Sequence, residues 1–115
     1  MSNEVIILPK IYDLILWYGK KIVYYPKKYK YNLGERITDL FLDIVEKIIE
    51  AKYGSKKYYF LRQTNINLEK LRIMVRLSKD LQCISIQEYE YMSKEINDIG
   101  KMVGGWEKYS KEKEV

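Results

Sequence analysis

The chain has 115 residues, of which 47% are hydrophobic and 32% charged, and a formal net charge of +5. This length suits a single folded domain, and the composition excludes a disordered tail protein. No apolar run approaches the roughly 18 residues that cross a bilayer and no signal peptide is recognisable, so we expect a cytoplasmic protein without membrane contact. Because the chain has no histidine and one cysteine, Cys83, we expect no disulfide, metal site or cofactor.

The first predicted helix spans about residues 9–25. Its apolar residues recur at alternating steps of three and four, which indicates one buried face of a helix. Pro9 suits a first helical turn because its missing N–H has no intrahelical partner there, and Pro26 ends the pattern.

A basic and tyrosine-rich segment follows, with the sequence YYPKKYKYN at residues 24–32. We call it the lysine–tyrosine segment. Lysines can hold phosphates while neighbouring tyrosine rings stack on bases, so the segment is a candidate for nucleic-acid binding. The alternative is that the tyrosines pack the loop and the lysines keep it soluble. The candidate binding residues are Lys27, Lys28 and Lys30.

The second predicted helix spans residues 33–53, with Asn32 as its N-cap and Gly54 at its end. Its apolar residues cover more than the single face that a bundle core requires. The surplus consists of Phe41, Leu42, Val45 and Ile49.

The third predicted helix spans residues 56–82 and can be capped by Ser55. At about 100° per residue, Ile66, Ile73 and Leu77 fall well away from its core face; we call them the apolar stripe. A four-helix bundle has one core, so a second apolar face indicates a second neighbour. We therefore predict homo-oligomerisation through these faces.

The same helix carries four cations within about a quarter of its circumference, interrupted only by Glu69. Like charges on one face repel each other unless an anion lies against them, and arginine's planar fork suits phosphate oxygens. The alternative is an ordinary solvated face. We call the four residues the basic stripe: Arg62, Arg72, Arg76 and Lys79.

The fourth predicted helix spans residues 86–108 and opens with a capping box, in which Ser85 precedes Glu88 by three residues. Its apolar periodicity continues through three glycines to a buried tryptophan, so we interpret the glycines as a strip where another backbone packs closely. Gly105 can instead mark fraying toward the charged tail, residues 109–115, which we expect to be frayed. The packing residues are Gly100, Gly104, Gly105 and Trp106.

Short connections between four helices predict an all-α, antiparallel up-down four-helix bundle formed by the whole chain as one domain. Motifs of enzymes are absent: the glycines form no phosphate-cradling loop, and the Glu-x-x-His pairs of di-metal bundles cannot occur without histidine. We therefore expect no catalytic activity.

Three stretches together resemble the accessory variability determinant (Avd) proteins of diversity-generating retroelements. They are PKKYKYNLGERI at 26–37, LEKLRIMVRLSKDL at 68–81 and ISIQEYEYMSKEINDIGKMVGGW at 84–106. A sister group, the four-helix proteins encoded in ribosomal RNA intervening sequences, carries an Asn-Ile-Ala-Glu-Gly segment that this chain lacks.

The resemblance implies a four-helix bundle that assembles as a homopentameric barrel, binds RNA or DNA, including RNA–DNA hybrids, and associates with an error-prone reverse transcriptase without being catalytic. By motif, Arg72 and Arg76 match the family's basic pair, and Gly104 to Trp106 match its packing signature. Two alternatives stay open: a stand-alone RNA-binding oligomer of the intervening-sequence type, and a purely structural oligomer whose positive charge is incidental.

Overall fold

The computed structural model describes residues 2–114, and the side chains of residues 6–113. Within that part of the chain the structure is helical, with no strand, which confirms the predicted all-α class. The four long helices are α1 (Ser2–Lys21), α2 (Glu35–Tyr53), α3 (Lys57–Asp80) and α4 (Ile86–Glu114).

The four helices pack in a closed ring in which each helix contacts the two that neighbour it, α1 lying between α2 and α4. Two ion pairs show that α1 and α4 run antiparallel: Lys10 contacts Glu95 at 2.8 Å, and Lys21, further along α1, contacts Glu88 at 3.3 Å. The result is a rod of 47 × 22 × 20 Å. The predicted four-helix bundle is confirmed, and its assembly into a pentamer stays a prediction.

Helix α1 begins at Ser2, seven residues before the predicted start, and Pro9 lies inside it. A proline within a helix removes one backbone hydrogen bond and crowds the carbonyl four residues earlier. Here Ile7 and Ile11, on either side of Pro9, are both fully buried. The buried face of α1 therefore continues on both sides of the proline. The prediction that Pro9 lies in the first helical turn was wrong for this reason.

The connection from α1 to α2 is wound into short helical turns. A single 3₁₀ turn runs to Tyr24, and a π-helical turn, Lys30–Gly34, leads directly into α2. Asn32 lies within the π turn and its Nδ2 donates to the Lys28 carbonyl at 2.9 Å, so it is not the N-cap of α2 that the sequence predicted.

Helix α3 ends in a Schellman motif. The Cys83 N–H donates to the Ser78 carbonyl at 2.8 Å, and the Gln82 N–H donates to the Lys79 carbonyl at 2.9 Å. Gln82 occupies the left-handed position with φ of 63°, where glycine is the usual residue. The turn therefore stops the helix and buries Cys83, which is 7% exposed.

Helix α4 begins with the predicted capping box: the Glu88 N–H donates to Ser85 Oγ at 3.0 Å, and the Ser85 N–H donates to Glu88 Oε1 at 2.9 Å. The helix continues to Glu114, beyond the predicted end at residue 108. Ser110 is 3% exposed, so the helix still packs against the bundle where the sequence predicted a frayed tail.

Two tyrosines bring hydroxyl groups into the core near the α1–α2 connection. The Tyr18 hydroxyl donates to the Gly34 carbonyl at 3.0 Å, and the Tyr25 hydroxyl donates to Ser78 Oγ at 2.9 Å. Ser78 Oγ in turn donates to the Met74 carbonyl at 3.0 Å. Burial raises the pKa of both phenols. The Tyr25 bond fastens the lysine–tyrosine segment to α3, and the Tyr18 bond fastens α1 to the π turn that precedes α2.

Candidate nucleic-acid interface

The basic stripe on α3 is largely paired within the molecule. Arg76 Nε lies 4.0 Å from an oxygen of Asp80, and Lys79 Nζ lies 3.4 Å from the other. Lys79 Nζ also sits 4.6 Å from the centre of the Tyr89 ring, a cation–π contact. Asp80 falls one helical turn after Arg76, so this neutralising carboxylate could have been recognised in the sequence. The prediction named Glu69 as the one acid within the stripe and omitted Asp80.

Arg72 is held by two hydrogen bonds at the α3–α4 contact and lies against Gly100. Its Nε donates to Asn97 Oδ1 at 3.0 Å, and its Nη1 donates to Glu69 Oε1 at 3.0 Å. A Cβ atom at Gly100 would come within 2.5 Å of its Nη2. The missing side chain of Gly100 therefore makes room for the guanidinium group of Arg72. Of its three nitrogens, Nη2 is the one that is bonded to neither Glu69 nor Asn97.

The other α4 glycines face different surroundings. A Cβ atom at Gly104 would meet nothing within 4 Å outside its own helix. Gly105 is exposed, whereas Trp106 is 3% exposed and belongs to the core. No backbone from another helix approaches Gly100 or Gly104 within the described chain, which corrects the prediction of a close-approach strip.

The lysine–tyrosine segment presents its charges without carboxylate partners. Among the ion pairs of the described residues, none involves Lys27, Lys28 or Lys30. Two of them lie over aromatic rings: Lys28 Nζ is 5.2 Å from the centre of the Tyr29 ring, and Lys30 Nζ is 5.8 Å from the centre of the Tyr31 ring.

The tyrosines of this segment divide between packing and exposure. Tyr25 is 4% exposed and Tyr29 is half-buried, as the packing alternative requires. Tyr24 and Tyr31 are 79% and 63% exposed, so their rings are available to stack on a base.

The structure brings the segment close to one end of the basic stripe. The Tyr25–Ser78 hydrogen bond places the segment beside the residue that precedes Lys79. Arg62 lies about 25 Å away along α3, at 1.5 Å of rise per residue. The residues predicted as one surface therefore lie in three separate places. Arg76, Lys79 and the lysine–tyrosine segment form a cluster at one end, Arg72 lies at the middle of α3, and Arg62 lies alone toward its other end.

The apolar stripe lies on the outer surface of a single chain. Ile66, Ile73 and Leu77 are 42%, 58% and 43% exposed, and on α2 Leu42 and Ile49 are 48% and 43% exposed. Phe41, which the sequence assigned to the surplus face of α2, is instead 1% exposed and packs against Tyr18 in the core. A sizeable apolar surface on α2 and α3 thus has no cover within one chain.

Other kinds of site find little support in the described residues. No group of three or more carboxylates or thiols in residues 2–114 is arranged to hold a metal ion. None of the helices in that range combines the length and apolarity needed to cross a membrane.

Comparison with known proteins gives a family for the chain. A family model described as bAvd-like matches residues 5–110, nearly the whole chain. Searches of curated proteins and of solved structures returned no match. The three motifs that resemble Avd proteins all lie within the matched range, and the chain belongs to the bAvd-like family.

Proposed function

We propose that this protein is a non-catalytic, nucleic-acid-binding accessory subunit of a diversity-generating retroelement, which acts in the cytoplasm with the element's reverse transcriptase during mutagenic copying of template RNA. Membership of the bAvd-like family supports the retroelement context. The observation that carries nucleic-acid binding is the lysine–tyrosine segment, where three lysines that form no ion pair with the described carboxylates stand beside two exposed tyrosines.

The chemistry of this surface suits a single-stranded or locally opened strand. Lysines bind phosphates as point charges and release counterions, which gives affinity with little dependence on sequence. Tyr24 and Tyr31 offer ring faces on which any base can stack. Arg72, with two of its nitrogens already bonded, adds a guanidinium of fixed orientation for a duplex or hybrid lying along α3.

The proposed subunit works as a homo-oligomer, most simply a homopentamer as in the proteins it resembles. The exposed apolar stripe on α3 and the apolar residues of α2 supply an interface that a second copy can cover. Symmetry would repeat the lysine–tyrosine segment around the assembly, and several weak contacts would then act together on one strand.

The assembly is tested by replacing the apolar stripe. We expect Ile73→Glu/Leu77→Glu to give smaller particles than the wild type in light scattering at micromolar concentration, because charge cannot be buried there without a partner. Lys101→Glu, an exposed change on α4 and away from the apolar stripe, is the control. A monomeric wild-type protein would contradict the proposed oligomer.

Nucleic-acid binding and the polymerase partner need separate measurements. Titration of template RNA and of an RNA–DNA hybrid at several salt concentrations should show binding that weakens steeply with salt. Co-expression with the reverse transcriptase encoded beside the gene should yield a complex that survives purification. Binding of RNA without a polymerase complex would favour the stand-alone RNA-binding alternative, and absence of both would leave the structural oligomer.

A further inference from the structure

The end of the rod opposite the lysine–tyrosine segment carries a second concentration of lysine and tyrosine. It surrounds the turn between α2 and α3. Residues 51–68 contain no aspartate or glutamate, whereas four cations lie there. Those cations are Lys52, Lys56, Lys57 and Arg62.

Two of the aromatic side chains at this end are open to solvent. Tyr53 is 76% exposed and Tyr59 is 54% exposed. Lys52 Nζ lies 5.3 Å from the centre of the Tyr53 ring, the same lysine-on-tyrosine arrangement as in the lysine–tyrosine segment. The α4 tail adds Lys111, whose Nζ lies 5.9 Å from the centre of the Tyr58 ring.

A pocket lies between this turn and the end of α4. The hydroxyl of Ser110, a residue 3% exposed, has no hydrogen-bond partner within the described part of the chain. The N-terminus of α3 borders the same pocket, and of the side chains described none caps it, so its first N–H groups can receive an anion. The pocket is lined by Gly54, Ser55, Lys57, Trp106, Tyr109, Ser110 and Lys113.

Two sets of negative groups close to the pocket have partners, whereas the carboxylate of Glu50 lies near Gly54 without one among the described residues. Lys57 Nζ donates to the carbonyls of Ala51 and Lys52, at 2.8 and 2.9 Å, and so neutralises the C-terminus of α2. The carboxylate of Glu107 accepts a hydrogen bond from Asn65. An incoming anion therefore meets lysine cations and the N–H groups of α3, with the carboxylate of Glu50 as the one negative group described near Gly54.

We infer that the α2–α3 turn and the adjoining pocket form a second nucleic-acid contact, in which the pocket takes a phosphate group and Tyr53 and Tyr59 stack on neighbouring bases. The identity of the ligand rests on the proposed function; the location rests on charge, exposure and the unpartnered hydroxyl. The rod is 47 Å long, which corresponds to about 14 nucleotides at the 3.4 Å rise of a duplex strand, so a 20-nucleotide strand is long enough to contact both ends.

The test compares two exposed charge reversals, one inside this surface and one outside it. Lys56→Glu, combined with Tyr53→Ser, alters the proposed contact. A glutamate at the N-terminus of α3 favours the helix, so lost binding would not reflect lost folding. Lys101→Glu, exposed on α4, makes the same change of charge as a matched control. Circular dichroism and light scattering check that fold and assembly are kept.

The probe is a 20-nucleotide oligouridylate that carries 5-iodouridine, which is used both for titration and for photocrosslinking. We expect the Lys56→Glu/Tyr53→Ser variant to bind at least about fivefold more weakly, as loss of one stacked base implies, with a shallower salt dependence. Lys101→Glu should bind within about twofold of the wild type. Crosslinks in the wild type should fall on Tyr53 or Tyr59 as well as on the lysine–tyrosine segment.

The two proposals fail in different ways. If the double variant binds like the wild type, with the same salt slope and crosslinks confined to residues 24–32, the second contact is refuted and the proposed function stands. If wild-type protein binds no strand at any salt concentration, nucleic-acid binding itself is refuted.

Discussion

The lysine–tyrosine segment and the basic stripe look alike in the sequence but differ in the fold. In the stripe, Arg72 is bonded to Glu69 and Asn97, and Arg76 and Lys79 share Asp80. In the segment Lys28 and Lys30 lie over tyrosine rings, and no ion pair of the described residues involves either of them or Lys27. Formal charge therefore overstates what a helix can offer a ligand, because acids one turn away or on the next helix neutralise part of it, whereas a connecting segment keeps its charge available.

The largest expected effect is a difference in RNA binding between charge reversals in the lysine–tyrosine segment and in the basic stripe. We expect Lys27→Glu/Lys28→Glu to weaken RNA binding by tenfold or more at about 0.1 M salt and to reduce the salt slope by about 1.4, since each single-strand phosphate contact contributes roughly 0.7. Arg76→Glu should cost less than Lys27→Glu or Lys28→Glu alone, because Asp80 already offsets that charge. Titrations at several salt concentrations decide; an equal or larger loss for Arg76→Glu would reverse the ranking of the two surfaces.

The second prediction concerns the hydroxyl pair that joins the two regions. Ser78→Ala leaves the buried Tyr25 hydroxyl without its acceptor, so we expect the free energy of unfolding to fall by about 1–3 kcal/mol. Tyr25→Phe removes the other partner while Ser78 keeps its bond to Met74, so it should cost less. Urea denaturation measures both. Additive losses in the double variant would show that the two hydroxyls do not act as a pair.

The same region predicts how stability changes in alkali. Burial raises the pKa of Tyr18 far above its ordinary value of 10, and that of Tyr25 in the same direction. The unfolded chain then loses these protons first, so their stabilisation is complete below about pH 10 and declines as the pH rises above it. Thermal unfolding between pH 8 and 11 checks this. Tyr18→Phe should flatten the decline, and Tyr12→Phe, an exposed tyrosine on the same helix, should leave it unchanged.

The smallest effect separates the two glycines on α4. Both Gly100→Ala and Gly104→Ala favour the helix by up to about 1 kcal/mol. Only at Gly100 does the new methyl group displace the Arg72 guanidinium, since the position at Gly104 is open. We expect Gly104→Ala to raise the melting temperature without changing RNA affinity, and Gly100→Ala to change affinity a few-fold. Identical affinities would show that the placement of Arg72 does not matter for binding.

Sequence periodicity predicted the helices well where local rules decide. The Ser85–Glu88 capping box formed as expected because its partners are three residues apart. Local rules were wrong at Pro9, which they placed in the first turn of α1. The helix in fact continues through Pro9, because the residues on either side of it are buried in the core. Ser55 does not cap α3, whose N-cap residue is Lys56.

The sequence predicted which residue types form the candidate site, but it did not predict how they are arranged in space. The lysines and arginines were visible in the sequence, but which of them are neutralised depends on contacts across helices. Gly100 shows this most clearly, because glycine is needed there to leave space for the side chain of Arg72, which lies 28 positions earlier in the sequence. Only the antiparallel packing of α3 and α4 brings the two together.

The turn that ends α3 also gives the molecule a chemical reporter. Cys83 is the single thiol of the chain, and burial both shields it and raises the pKa of its thiol. A thiol reagent at neutral pH therefore reacts slowly while this turn is closed, and its rate relative to a free cysteine sets a lower bound on the free energy of opening. Because Ser78 accepts the Cys83 N–H and the Tyr25 hydroxyl alike, labelling with and without RNA would report whether ligand binding tightens the end of the bundle next to the lysine–tyrosine segment.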